Sequence, residues 1–331
     1  MLEQPIIKHT PFYPGQWGIK GSDSPLGIRT VPRGIVYYVN SSDTNASDNN
    51  DGTDPTYPLS TVLAAYTKCT DGQNDVVAVI GQNTQYPITA AFTWSKSFTH
   101  LVGVSADIPG VGQRVRLVAP DTADLGNVMT ISGSGCEFKN IQWYNGSDAN
   151  TDSGAVTVSG SRNYFENCFF AGMAHATPAA RAGSYSLTVT GSENVFVRCS
   201  IGLQTIIRAA ANAELVISGA TCYRNRFIQC EFLSWSVTAG KFLAAFSATS
   251  VPWVTQFEDC LFDNLNMTAG GAAGAAITNA FADGSAAFHQ AILRGKNQFV
   301  GCTGVADTLT HIWSAEPVPN TGFGISVNPA T

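Results

Sequence analysis

Four carboxylates gather in the second half of the chain: Glu231, then Glu258, Asp259 and Asp263. Paired carboxylates are what hydrolysis of a glycosidic bond needs, one to protonate the leaving oxygen and one to act as base or nucleophile. Elimination from a uronate needs instead a cation and a basic Arg or Lys. Glu166 and Glu258 each stand two residues before a cysteine in related segments, which predicts that both point outward along one face. That face is a candidate carbohydrate groove. No matching His or Arg accompanies it, so a solvated charged face explains these residues better than an acid–base pair. No catalytic residue is assigned; Glu231, Glu258, Asp259 and Asp263 are the candidates should catalysis exist.

Other chemistry is sparser. His9, His100, His175, His289 and His311 are scattered and read as surface or loop residues. The stretch Asp48 to Asp54 has the composition of a calcium loop. It lacks the Asp-x-Asp-x-Asp-Gly spacing with a Glu downstream, and an Asp-Gly turn accounts for it. No Gly-rich loop follows a strand in the context that would cradle a phosphate. The eight cysteines contain no Cys-x-x-Cys pair, and Cys222 and Cys230 have no His at ligand spacing. No metal and no cofactor is implied.

The cysteines report on architecture instead. Phe165-x-x-Cys168, Phe196-x-x-Cys199, Phe227-x-x-Cys230, Phe257-x-x-Cys260 and Phe299-x-x-Cys302 repeat one pattern, with Cys136-Glu137-Phe138 as a degenerate copy. The cysteines step by 32, 31, 31 and 30 residues from Cys136 to Cys260, then by 42 to Cys302. A short-strand repeat at that period means a coiled stack of similar turns, in which like residues sit above like. The five phenylalanines are expected to form one internal column and the five cysteines another. Asn167, Arg198, Gln229, Asp259 and Gly301, each just before its cysteine, fit a polar bend between two strands. The thiols are expected to be free and buried rather than disulfide-bonded.

Four segments follow along the chain. Residues 1–34 are broken by Pro and Gly yet carry Ile6, Ile7, Phe12, Tyr13, Trp17 and Ile19. This composition predicts an extended arm lying on a surface, serving assembly or anchoring. Residues 35–97 contain a strand at 34–40, a helix at 59–66 with Val62, Leu63 and Tyr66 on one face, and a strand at 75–81. Residues 98–315 read as short strands and turns, interrupted by the Gly/Ala run 269–276, which is either a loop or a flat surface packed on another subunit. Residues 316–331 read as an extended, Pro-limited tail.

Composition narrows the partners. Only 13% of the 331 residues are charged and the net charge is −6, so no broad basic face is offered to nucleic acid or an anionic membrane. The start of the chain lacks a basic segment followed by an apolar core, which predicts synthesis in a cytoplasm.

The order of Val36–Val39, Asp51-Gly52, Pro58-Leu59-Ser60-Thr61, the Ala-rich helix, Asp75–Val79 and Gly81 resembles the N-terminal cap of the right-handed parallel β-helix, pectate-lyase-like superfamily. The Phe-x-x-Cys coils extend the resemblance to about residue 303. It implies an all-β, single-stranded parallel β-helix whose short helix plugs one end. The Asn-Thr-Asp, Asp-Asp and Gly-His-Gly motifs of the family's hydrolases are absent, as are the Asp-His and Arg-x-Pro-x-x-Arg motifs of its lyases. The resemblance is greatest to phage virion proteins of this fold. It implies a non-enzymatic homotrimer in the virion, decorating the capsid of a tailed bacteriophage and bound through its arm to the major capsid protein or another virion protein. The alternative is a tailspike or polysaccharide-degrading lyase or hydrolase that binds a host surface glycan.

Overall fold

The computed structural model describes residues 34–105, 115–219, 222–236, 244–246, 254–264, 277–283, 291–306 and 312–314. The arm residues Ile6, Ile7, Phe12, Tyr13, Trp17 and Ile19, the 269–276 run and the tail at 316–331 lie outside these ranges.

Each coil contributes three short strands. The coil that starts at Glu137 runs through Glu137–Lys139, Ile141–Asn145 and Gly154–Val158 before the next begins at Tyr164. Among the described residues the strands assemble into three sheets of ten, eight and eight strands, with every neighbour one coil away in sequence. All pairings are parallel, as in Tyr164↔Val195 and Phe170↔Ile201. This is a right-handed parallel β-helix, all-β but for short helices.

The one-residue corner between the first and second sheets explains the repeat. Asn140, Asn167, Arg198, Gln229 and Asp259 all have φ between 50° and 56°. This left-handed conformation turns the chain sharply and is tolerated best by short polar side chains. Asn167 also donates its side-chain amide to the Oδ1 of Asn140 at 2.8 Å. The phenylalanine two residues before each corner points inward, and so does the cysteine just after it.

Parallel register then stacks the rings. Phe138 and Phe165 lie 4.9 Å apart, Phe165 and Phe196 4.6 Å, Phe196 and Phe227 4.6 Å, and Phe227 and Phe257 5.2 Å, with planes within 12° of parallel. Cysteine suits the corner because it is small and its thiol can donate weakly. The Sγ atoms of Cys168, Cys230 and Cys260 each donate at 3.4 Å to the carbonyl of the phenylalanine one coil back: Phe138, Phe196 and Phe227. All eight cysteines are buried and free.

Two members of the expected columns stand elsewhere. Phe299 pairs with Phe262 of the second sheet, their rings 4.7 Å apart, while Leu293 takes the place above Phe257. Cys302 opens a third-sheet strand opposite Ile277. The corner in that coil is Gly295-Lys296-Asn297, longer than the others, so the last Phe-x-x-Cys falls one sheet further on. Cys136 is likewise out of line: it precedes its strand, and the matching cysteine position of that coil is held by Ile141.

The return corner from third to first sheet carries a second ladder. Asn163 Oδ1 accepts from the Cys136 N–H at 2.8 Å, Asn194 Oδ1 from the Asn163 N–H at 2.9 Å, and Asn225 Oδ1 from the Asn194 N–H at 2.9 Å. Buried backbone donors at the bend are thereby satisfied.

Helix α1, Val62–Lys68, plugs the first coil. The Thr61 Oγ1 caps it by accepting from the Ala64 N–H at 3.1 Å. Because the helix begins at Val62, the buried positions are Val62, Ala65 and Tyr66, and Leu63 faces solvent. The Tyr66 ring packs on Trp94 at 4.4 Å, closing the apolar interior. No described helix is long and apolar enough to cross a membrane.

Candidate functional site on the second sheet

Outward side chains of the second sheet form columns along the helix axis. Register places Arg116, Gln142 and Phe169 in one column and Val118, Tyr144 and Ala171 beside it. Further along, Ser200, Glu231, Leu261 and Gln298 line up, with Leu233, Asp263 and Val300 alongside. These residues face out because strand side chains alternate and Trp143, Phe170, Ile201, Phe232 and Phe262 fill the inner face.

At one end, Gln85, Arg116, Val118, Gln142 and Tyr144 line a shallow groove of about 220 Å³. Tyr144 and Phe169 pack on a small apolar patch of Ala171, Ala174 and Leu203. Burial raises the Tyr144 hydroxyl pKa, against the lowering pull of Arg116. An aromatic ring among amides and a guanidinium offers hydrogen bonds and an apolar shelf, the combination that polyhydroxylated ligands use.

Toward the other end lie Glu231 and Asp263, on adjacent strands of this face. The Asp263 Oδ2 accepts from the Gln204 side chain at 2.9 Å, while its buried Oδ1 has no hydrogen-bond partner among the described residues. Burial raises the Asp263 pKa, Gln204 lowers it and Glu231 raises it further. Glu231 accepts from the Ser200 hydroxyl at 3.4 Å.

The remaining candidates do not join them. Glu258 lies on the outer face of the first sheet, 3.3 Å from the Arg226 guanidinium. Glu166 shares that sheet and pairs with Arg198 and with Lys139, the latter at 3.7 Å. Asp259 occupies the left-handed corner, where its Oδ1 accepts from the Lys296 N–H at 2.7 Å. Glu166 and Glu258 thus share the outer face of the first sheet, while Glu231 and Asp263 stand on the second, because the corner at Asp259 turns the chain between Glu258 and Asp263.

Two further charged clusters are spoken for. Arg208 and Glu214 form an ion pair, each 1% exposed, outside the third sheet. Arg208 Nη1 donates to the Met173 carbonyl at 3.1 Å, and Ser186 donates its hydroxyl hydrogen to Glu214 at 2.6 Å. Burial pushes the Glu214 carboxyl up while Arg208 pulls it down. This pair is sealed from any ligand and ties two successive coils together. In the 48–54 loop, Asp48 accepts from the Ser60 and Thr61 N–H groups at 2.9 Å, and Asp54 from the Thr56 N–H at 2.8 Å. Those carboxylates shape turns and support the helix cap.

No family model and no curated protein matches this sequence. Solved structures do resemble its fold. Pectate lyase Pel9A superposes with a TM-score of 0.55 at 15% identity, covering 86% of this chain and 81% of that one. Pectin methylesterase PemA from Erwinia chrysanthemi gives 0.53 at 14% identity, over 84% and 80%. A pectin methylesterase in complex with a hexasaccharide gives 0.52 at 15% identity, over 84% and 80%. The chain thus has the pectate-lyase-like β-helix fold, and at these identities the likeness is one of fold.

Proposed function

We propose that this chain is a non-catalytic β-helix that serves as a structural block on a virus particle, decorating the capsid of a tailed bacteriophage as a homotrimer. Residues 1–34 anchor it to the major capsid protein or another virion protein. The observation that carries the reading is the fate of the carboxylates. Glu166 and Glu258 pair with arginines, Asp259 caps a corner, and Glu214 is sealed with Arg208. A glycoside hydrolase needs such groups exposed together in a cleft. The continuous ring stack from Phe138 to Phe257 supports the mechanical part of the reading, since a filled interior resists bending.

A second reading rests on the second-sheet face. Glu231 and the desolvated Asp263 share that face with the Gln142–Tyr144 groove. A tailspike, lyase or hydrolase would lay a host glycan along it, and the structural neighbours include a pectate lyase and a pectin methylesterase bound to a hexasaccharide. Incubation with uronate and neutral bacterial polysaccharides separates the two. The structural reading predicts no new reducing ends and no unsaturated product. Chain cleavage that is lost in Asp263→Asn would replace it with the enzymatic one.

A further inference from the structure

The second-sheet groove holds polar side chains that the rest of the fold does not use. Gln142 lies in the middle of its outward column, with Arg116 one strand to one side and Phe169 one strand to the other, each about 4.8 Å away. It is only 8% exposed, lines the groove, and its side chain has no hydrogen-bond partner among the described residues. A nearly buried amide left unpaired is costly, so its partner must come from the groove itself.

Gln85 and Arg116 line the same groove and likewise have no hydrogen-bond or ion-pair partner among the described residues. No carboxylate is among the lining residues. This sets Arg116 apart from Arg162 and Arg224, which pair with Glu193, from Arg198, which pairs with Glu166, and from Arg226, which pairs with Glu258. The Tyr144 hydroxyl is directed away, toward the Ala174 carbonyl of the next coil at 3.5 Å, so the ring is what Tyr144 offers to the groove.

We infer that this groove binds one sugar residue carrying a single negative charge, a carboxylate or a phosphodiester, within a polysaccharide. The inference rests on the reading in which the second sheet faces a glycan, but it requires no bond cleavage and so is compatible with a non-catalytic block. The Arg116 guanidinium has the planar fork that takes two oxygens of such an anion side by side. Gln142 and Gln85 each supply a carbonyl acceptor and two N–H donors for ring hydroxyls. Tyr144 and Val118 form the apolar shelf beneath the ring. One guanidinium balances one charge, whereas a phosphate monoester approaches −2 and would leave a charge unmatched. The volume of about 220 Å³ falls below the roughly 300–1,000 Å³ of pockets that enclose drug-sized ligands, which limits the site to about one ring.

The test is saturation-transfer-difference NMR on the purified full chain with methyl glucuronide, glucose 6-(methyl phosphate) and methyl glucoside, which share a pyranose ring and differ in its charge. We expect at least one charged sugar to bind saturably and at least tenfold more tightly than methyl glucoside; which of the two binds better identifies the anion. Arg116→Gln should abolish that preference. Gln142→Leu, similar in volume but without the amide, should weaken binding of the charged sugar severalfold without lowering the melting temperature. No saturable binding of either charged sugar, methyl glucoside bound as tightly, or a preference that survives Arg116→Gln would each overturn the site. Such a failure leaves the structural-block reading standing, because that reading is tested by association with particles and not by sugar binding.

Discussion

The backbone N–H of Asn163 donates to the side-chain Oδ1 of Asn194, one coil further on, at 2.9 Å. Asn194 in turn donates its amide Nδ2 to the Gly160 carbonyl at 3.0 Å, so a single buried side chain fastens two coils at the bend. Replacing it with alanine leaves a buried donor and a buried acceptor unpaired at once. Each such loss costs about 1–3 kcal/mol. Asn194→Ala should therefore lower the melting temperature far more than a surface Asn→Ala, by calorimetry at matched concentration.

The sealed Arg208–Glu214 pair gives a different signature. Truncating one partner strands the other charge away from water, a loss of about 3–5 kcal/mol. Replacing both with apolar residues of similar volume removes the stranded charge. Arg208→Met and Glu214→Leu should each destabilise strongly, while the double variant recovers most of the loss in a double-mutant cycle. Equal, additive losses would mean that the pair is not coupled as the geometry implies.

Acid sensitivity should centre on His100. It is buried, its Nδ1 accepts from the Glu137 N–H at 3.0 Å, and its Nε2 faces the Asn74 Oδ1 at 3.3 Å, which describes a neutral ring. Burial lowers its pKa from 6.5 to about 4, against an opposing pull from Asp75. The unfolded chain therefore binds this proton more readily than the folded one. Stability is full above pH 6.5 and falls as pH drops toward 4, by roughly 3 kcal/mol from this group alone. Melting temperatures measured across that window should decline in the wild type and decline less in His100→Gln.

The thiols should be inert. Burial pushes Cys69, Cys222 and Cys302 up to about 12, and Cys230 is raised as well. The thiolate is the reactive form, and access is closed too. A chromogenic disulfide reagent should label almost none of the eight cysteines in the native protein and all of them in denaturant.

Much of the architecture is legible in the chain because parallel stacking places like on like. Phe165, Phe196, Phe227 and Phe257 fall in one column, since each is followed by a one-residue corner at constant spacing. Phe299 departs because the preceding corner is longer, and a motif of two residue types carries no information on which corner it follows. Leu63 and Ala65 exchange places because α1 begins three residues later than apolar spacing suggests. The charged residues are harder to read. Glu166 finds Arg198, and Glu258 finds Arg226, 32 residues away in each case, so their partners emerge only once the coil register is known. Gln85, Arg116, Gln142 and Tyr144 are ordinary polar residues until the sheet alternation puts them on one face.

The most direct measurement is quantitative mass spectrometry of virus particles purified from cells that make this chain, compared with the unbound fraction. A structural block predicts that it sediments with the particles, at a fixed copy number divisible by three, and that a chain lacking residues 1–34 stays folded in the unbound fraction. Its absence from particles, together with release of sugar fragments by the purified protein, would contradict the account.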